Sequence, residues 1–358
     1  MPLGQCVLDI PPAQGNPRNS EGAFLTLHDG GLLFTYSRFA GESADDHARA
    51  DIVAIRSWDH GATWTQPETV LSARALQAMN VMSLSLLRMR NGGIGLFYLN
   101  RQSWQDMRPE LRISLDEGKS WGAPMRCIRR TGYFVMNNDR VVRLKTGRIL
   151  LPVAQHAMTV HPETGALERF GPGVGYIFFS DDDGLTWQEG DFPLAMQSPY
   201  AWGGFQEPGV IELSGGLVAC WGRTVLGRQY ACFSRTQGQR FSPLEPSWFT
   251  SPLSPLSAKR LSDGRLLSVW NPVPDYPTRS AYPRTGGRTP LVYAMSSDDG
   301  VNWSEPKTIE ADPHAGYCYT AIHEADGYVF LAYCAGNTDV DGACLNRTRI
   351  RRFALAAL

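Results

Sequence analysis

The groups in this sequence that could hold a metal or a substrate recur in one pattern, Ser-x-Asp-x-Gly-x-Thr-Trp. It stands as Ser57-Trp58-Asp59-His60-Gly61-Ala62-Thr63-Trp64 and as Ser114-Leu115-Asp116-Glu117-Gly118-Lys119-Ser120-Trp121. It returns at Ser180 to Trp187 and at Ser296 to Trp303, with an eroded copy, Ser234 to Phe241, between them. The aspartates are not spaced as a calcium loop. One chemistry repeated at five places is better read as a structural staple. The Asp accepts backbone N–H groups, the Gly supplies φ > 0, and the Trp packs between neighbouring sheets. The seven cysteines (Cys6, Cys127, Cys220, Cys232, Cys318, Cys334, Cys344) are odd in number and widely spaced, with no C-x-x-C and no His/Cys cluster. Neither a zinc site nor a disulfide framework is expected.

The elements that carry these turns repeat about every 60 residues, one supersecondary unit at a time. A second series is independent of the first: an apolar run, a glycine turn and another apolar run. It occurs at 24–36, 84–98, 141–153, 209–221, 259–270 and 321–333. Interleaving the two gives strand, Gly turn, strand, loop, strand, Asp turn, strand, six times. That order predicts an all-β, six-bladed β-propeller with four-stranded antiparallel blades, spanning 1–358 as one domain. The last unit lacks an Asp turn. Its third strand is expected at 347–353, and Cys6-Val7-Leu8-Asp9-Ile10 is expected to supply its outer strand and close the ring.

Charge is balanced, 34 basic against 35 acidic residues, which argues against a nucleic-acid or polybasic membrane partner. Only 19% of residues are charged, whereas Gly (36), Pro (24) and Trp (10) are plentiful, as suits short strands and tight turns. No run approaches the ~18 apolar residues of a membrane span. The first residues lack the basic and apolar regions of a signal peptide. A soluble, cytoplasmic protein is expected, with a periplasmic or secreted location left open if a leader has been removed. Oligomeric state is not legible.

Polar residues gather where inner strands should begin: Asn80, the run Asn137-Asn138-Asp139-Arg140, and Lys259-Arg260. His156, Trp270-Asn271 and His323 fall at or near strand ends. Inner strands of a propeller start at the central funnel, so these are expected to line a pocket.

With its turns in register over nearly the whole chain, the sequence resembles the sialidase (neuraminidase) superfamily, whose six-bladed propellers carry the same turns, there called Asp-boxes. The resemblance implies site residues by place in the repeat. Arg18, in Asn16-Pro17-Arg18-Asn19-Ser20-Glu21-Gly22, takes the place of the arginine that opens blade 1, without the usual Arg-Ile-Pro. Asp46, before Asp51-Ile52-Val53, resembles the acid/base aspartate. Glu207 in Gln206-Glu207-Pro208-Gly209 and Arg223 in Trp221-Gly222-Arg223 match the glutamate and arginine of blade 4. Arg288, before Thr289-Pro290-Leu291, resembles the third arginine. Tyr319 in Tyr317-Cys318-Tyr319-Thr320 resembles the nucleophile, with Tyr317 the second candidate.

The implied activity is that of an exo-acting, retaining glycoside hydrolase for terminal sialic acid or a related acidic sugar. Such a substrate carries a carboxylate beside the bond to be broken. Three arginines give it permanent, bidentate recognition. A neutral phenol avoids the repulsion that an Asp or Glu nucleophile would meet. Glu207 would draw the proton from Tyr319, whose unperturbed pKa is about 10, and Asp46 would protonate the leaving oxygen. No metal or organic cofactor is implied. Arg140 and Arg260 raise the arginines expected at the funnel to five, more than a carboxylate clamp needs, which points also to other acidic sugars. A glycosidase or lyase for such a sugar, or a carbohydrate-binding propeller without catalysis, are the alternatives.

Overall fold

The computed structural model describes residues 4–160, 163, 167–275 and 280–358. Its strands form six blades. Blade 1 is Asn19–Thr26, Leu32–Phe39, Ala50–Ser57 and Glu68–Leu71. Blade 2 is Asn80–Arg88, Ile94–Arg101, Met107–Ser114 and Met125–Arg126. The inner strand of blade 3 is broken into Tyr133–Val135 and Val142–Arg143, followed by Ile149–Val160, Leu167–Ser180 and Gln188–Glu189. Blade 4 is Gln206–Glu212, Val218–Arg223, Arg228–Ser234 and Glu245–Thr250. Blade 5 is Ser257–Arg260, Leu266–Trp270, Leu291–Ser296 and Lys307–Glu310. Blades 2 and 3 touch edge to edge through a single parallel pairing, Tyr133 with Met107.

Blade 6 is Ala315–Ala325, Tyr328–Asn337 and Thr348–Ala354, completed by the N-terminal strand Gln5–Ile10. Gln5 pairs with Arg352 and Ile10 with Thr348, so the two ends of the chain close the ring as expected. Apolar clusters fill the spaces between blades. Phe24, Phe34 and Tyr36 of blade 1, for example, pack with Ala321, Phe330 and Ile350 of blade 6.

The Asp turns are staples. The Asp59 carboxylate accepts from Thr63 N (2.8 Å), Thr63 Oγ1 (2.6 Å) and Ser57 Oγ (2.8 Å), and Trp64 Nε1 donates to Gly61 O (3.0 Å). The carboxylate bonds recur at Asp116, Asp182 and Asp298. The indole bond recurs at Trp187 and Trp303 but not at Trp121, whose Nε1 is buried without a partner. Each box aromatic packs against the preceding blade; Trp303, for instance, lies edge-on to Phe249 at 5.1 Å. The residue after the box Asp also reaches back. Glu117, Asp183 and Asp299 accept from His28 N, Arg90 N and Ser214 N of the preceding blades.

The inner strands of blades 1, 2, 4 and 6 break register near their funnel ends, at Ser20/Ala23, Met82/Ser85, Gln206/Gly209 and Cys318/Ala321. At each break one residue is left-handed: Glu21 (φ 57), Ser83 (φ 50), Glu207 (φ 47) and Tyr319 (φ 57). Such a bulge interrupts the two-residue alternation and re-aims a side chain out of the packed face. These four residues line one cavity.

Candidate active site

Tyr319 and Glu207 meet in that cavity. Tyr319 Oη donates to Glu207 Oε1 at 3.3 Å, and Arg223 donates to the same oxygen at 2.9 Å. Glu207 Oε2 is buried and makes no hydrogen bond. The Arg288 guanidinium stands 5.4 Å from the centre of the Tyr319 ring. Burial pushes the Tyr319 phenol well up and the Glu207 charge adds to it, against the pull of Arg223 and Arg288. The resting tyrosine is therefore a neutral phenol beside a carboxylate that can accept its proton.

Asp46 lies at the mouth, on the loop between the second and third strands of blade 1, with 55% of its side chain exposed. Asn80 fixes that loop by donating to Asp46 O (2.7 Å) and Ala48 O (3.1 Å). Arg18, fully buried, donates to Asp46 Oδ1 at 2.6 Å. Burial alone would raise the Asp46 carboxyl, but Arg18 outweighs it and holds the group below its ordinary value. On its other side Arg18 pairs with Glu21 at 2.6 Å, and its Nε donates to Ser20 Oγ. The Ser83 hydroxyl donates to the second oxygen of Glu21. Burial raises the Glu21 carboxyl, Arg18 opposes it, and Asp46 raises it further.

The fold thus brings Asp46, Glu207, Arg223 and Tyr319 to one cavity, with Arg18 behind Asp46 and Arg288 beside the Tyr319 ring, neither of them lining it. Tyr317 is not part of it. It stays in the regular ladder opposite Ala335 and turns into the core between blades 5 and 6, edge-on to Tyr333 at 6.2 Å. The bulge at 318–321 is what separates the two tyrosines. Arg260 is also misplaced by sequence reasoning. The inner strand of blade 5 begins at Ser257, so Arg260 falls at its hairpin end, bonded to Gly264 O and paired with Asp299 of the Asp turn. Arg140 is buried in the central channel, donating to Leu256 O at 2.7 Å and lying over Trp221, beside a different cavity from the one that holds Tyr319. Asn137 and His156 do line the Tyr319 cavity. Lys259 instead bonds Ile322 O, and His323 bonds Thr26.

Two charged residues were missed. Glu21 stood in the segment around Arg18, and its signal was the following Gly22, which a bulge needs because a Cβ there would meet Phe34 at 2.2 Å. Arg101 is fully buried, donates to Tyr133 Oη at 2.7 Å and bonds the His47 ring. It ends the second strand of blade 2 as Arg223 ends that of blade 4, a correspondence the repeat could have exposed. Among the described residues no group of three or more His, Cys, Asp or Glu is arranged to hold a metal. No helix among them is long and apolar enough to cross a membrane.

The description "BNR repeat-like domain" matches residues 37–331, most of the chain. The chain belongs to the BNR repeat-like family. This BNR propeller has no match among curated proteins. Its fold is similar to solved structures. A Dyadobacter fermentans protein of unknown function superposes with a TM-score of 0.71 at 18% identity, over 99% of this chain and 100% of that one. The Hadza microbial sialidase Hz136 gives 0.73 at 17%, over 96% and 67%. The NanB sialidase of Streptococcus pneumoniae gives 0.70 at 13%, over 99% and 71%. The BNR propeller therefore has the fold of the sialidases.

Proposed function

We propose that this chain is an exo-acting, retaining glycoside hydrolase that removes a terminal sialic acid or a related acidic sugar. The observation that carries the reading is the Tyr319–Glu207 hydrogen bond, set between Arg223 and Arg288 in the funnel. Glu207 takes the phenolic proton as Tyr319 Oη attacks the anomeric carbon. The bond to the leaving oxygen breaks as Asp46 delivers a proton to it. Water, deprotonated by Asp46, then releases the sugar from Tyr319 with overall retention. A substrate carboxylate would be held by Arg223 and Arg288, with Arg18 joining once Asp46 lets it go.

Hydrolysis of a 4-methylumbelliferyl sialoside tests this. The expected result is turnover that falls about 10²–10⁴-fold in Asp46→Ala and in Tyr319→Phe. No turnover by the unaltered protein would reject sialic acid as the substrate, and unchanged activity in Tyr319→Phe would reject the mechanism. A second reading, another acidic sugar on the same machinery, is favoured by Glu21. That buried carboxylate already occupies Arg18, so the pocket offers a substrate anion less positive charge than three free arginines would.

A further inference from the structure

The chain carries two cross-strand thiol pairs, Cys220 opposite Cys232 in blade 4 and Cys318 opposite Cys334 in blade 6. All four side chains are fully buried and all are free thiols. Their surroundings differ. Cys220 and Cys232 sit in an apolar cluster with Leu150, Phe205 and Val210, and among the described residues no guanidinium hydrogen-bonds either sulfur. Burial pushes the Cys220 thiol well up. Cys318 instead faces Arg288, whose Nη1 lies 3.3 Å from its sulfur and 3.9 Å from that of Cys344, a half-buried third thiol. Although burial opposes it, the Cys334 thiol and the Arg288 and Arg223 charges hold the Cys318 thiol below its ordinary value. Cys318 and Cys334 also pack with Tyr319 in one cluster.

We propose that Cys318 is an oxidation site activated by Arg288, which closes a reversible disulfide with Cys334 beside Tyr319 when a hydroperoxide enters. A thiolate next to a cation is the reactive form of cysteine, and the partner sulfur is already opposite in register. The Cys318 thiolate attacks the peroxide oxygen, breaking the O–O bond; the sulfur becomes a sulfenic acid and the peroxide leaves as alkoxide or hydroxide. The Cys334 sulfur then attacks the Cys318 sulfur. The S–S bond forms as the S–O bond breaks, and the hydroxyl leaves with the Cys334 proton as water. The disulfide replaces the anionic sulfur beside Arg288 with a neutral one, leaving the guanidinium by the Tyr319 ring without that counter-charge.

The test is peptide mapping of the native protein after brief hydrogen peroxide treatment and thiol capping, with Cys220 and Cys232 as internal controls. The expected result is a Cys318–Cys334 crosslink that dithiothreitol reverses, while Cys220 and Cys232 stay reduced. In Arg288→Met the crosslink should form about tenfold more slowly. In Cys334→Ser, Cys318 should instead be trapped as a sulfenic acid by dimedone. A Cys318–Cys344 crosslink, equal oxidation of both pairs, no dimedone adduct, or an unchanged rate in Arg288→Met would each overturn the proposal. These readouts do not depend on which sugar, if any, the site cleaves.

Discussion

At the scale of single residues, the charge on Arg18 is shared between Asp46 and Glu21 before any ligand arrives. This has a consequence for pH dependence. An acid must carry its proton, and in the free pocket Arg18 holds the Asp46 carboxyl below its ordinary value. The kcat/KM profile, which reports the free protein, should therefore fall as pH rises through the acidic range. A substrate carboxylate that takes Arg18 removes the depressing charge, so the matching limb of kcat should lie at higher pH. Steady-state kinetics on an acidic substrate that place both limbs at the same pH would contradict this. Replacing Glu21 with Gln removes a competing charge yet leaves an acceptor for Arg18. KM for an acidic substrate should fall roughly tenfold, with kcat nearly unchanged.

At the scale of elements, the sequence pattern gave the strands well and their irregularities poorly. Alternating apolar residues and glycine turns place the central hairpin of every blade within a few residues, because packing between blades forces a period of two. The Tyr133–Val135 piece of the blade 3 inner strand lies outside that pattern. The bulges at Glu21, Ser83, Glu207 and Tyr319 break that period, and nothing in apolar alternation marks them. That is why the sequence keeps Tyr317 as a second candidate beside Tyr319 and does not single out Glu21. Arg260 failed for a related reason: the hairpin of blade 5 was located correctly, but its inner strand is only four residues long. The bulge of blade 1 depends on Gly22, where a Cβ would meet Phe34 at 2.2 Å and Thr35 O at 2.7 Å. Gly22→Ala should cost about 1–3 kcal/mol in denaturant unfolding and lower activity by displacing Glu21 and Arg18. Wild-type stability in this variant would remove the argument for a tightly specified bulge.

At the scale of the whole molecule, ring closure and the Asp turns set stability. The ring was legible from the sequence because each blade repeats the same turn chemistry, and the one blade lacking it sits where the chain ends meet. Removing residues 1–11 deletes the strand that pairs with Thr348–Ala354, and should lower the Tm by roughly 5–15 °C. The Asp59 and Asp116 carboxyls are held down to about 2 by hydroxyl and backbone donors within their own turns. A depressed carboxyl stabilises the fold above its unfolded pKa, near 3.9, and that contribution is lost as pH falls through its folded value. Thermal unfolding should therefore show Tm dropping between about pH 4 and pH 2. In Asp59→Asn the drop should be smaller, and an identical drop would show that the turns do not carry the effect.

The proposed reaction requires Tyr319 as the nucleophile, with Glu207 as its base. The most direct measurement is incubation with a 2,3-difluorinated sialosyl fluoride, followed by mass mapping of the labelled peptide. Formation of the sugar–protein bond is retained with this reagent while its breakdown is slowed. The predicted result is a single glycosyl adduct on Tyr319, absent in Tyr319→Phe. Time-dependent inactivation with the label on another residue, or turnover of a sialoside without any covalent adduct, would contradict it.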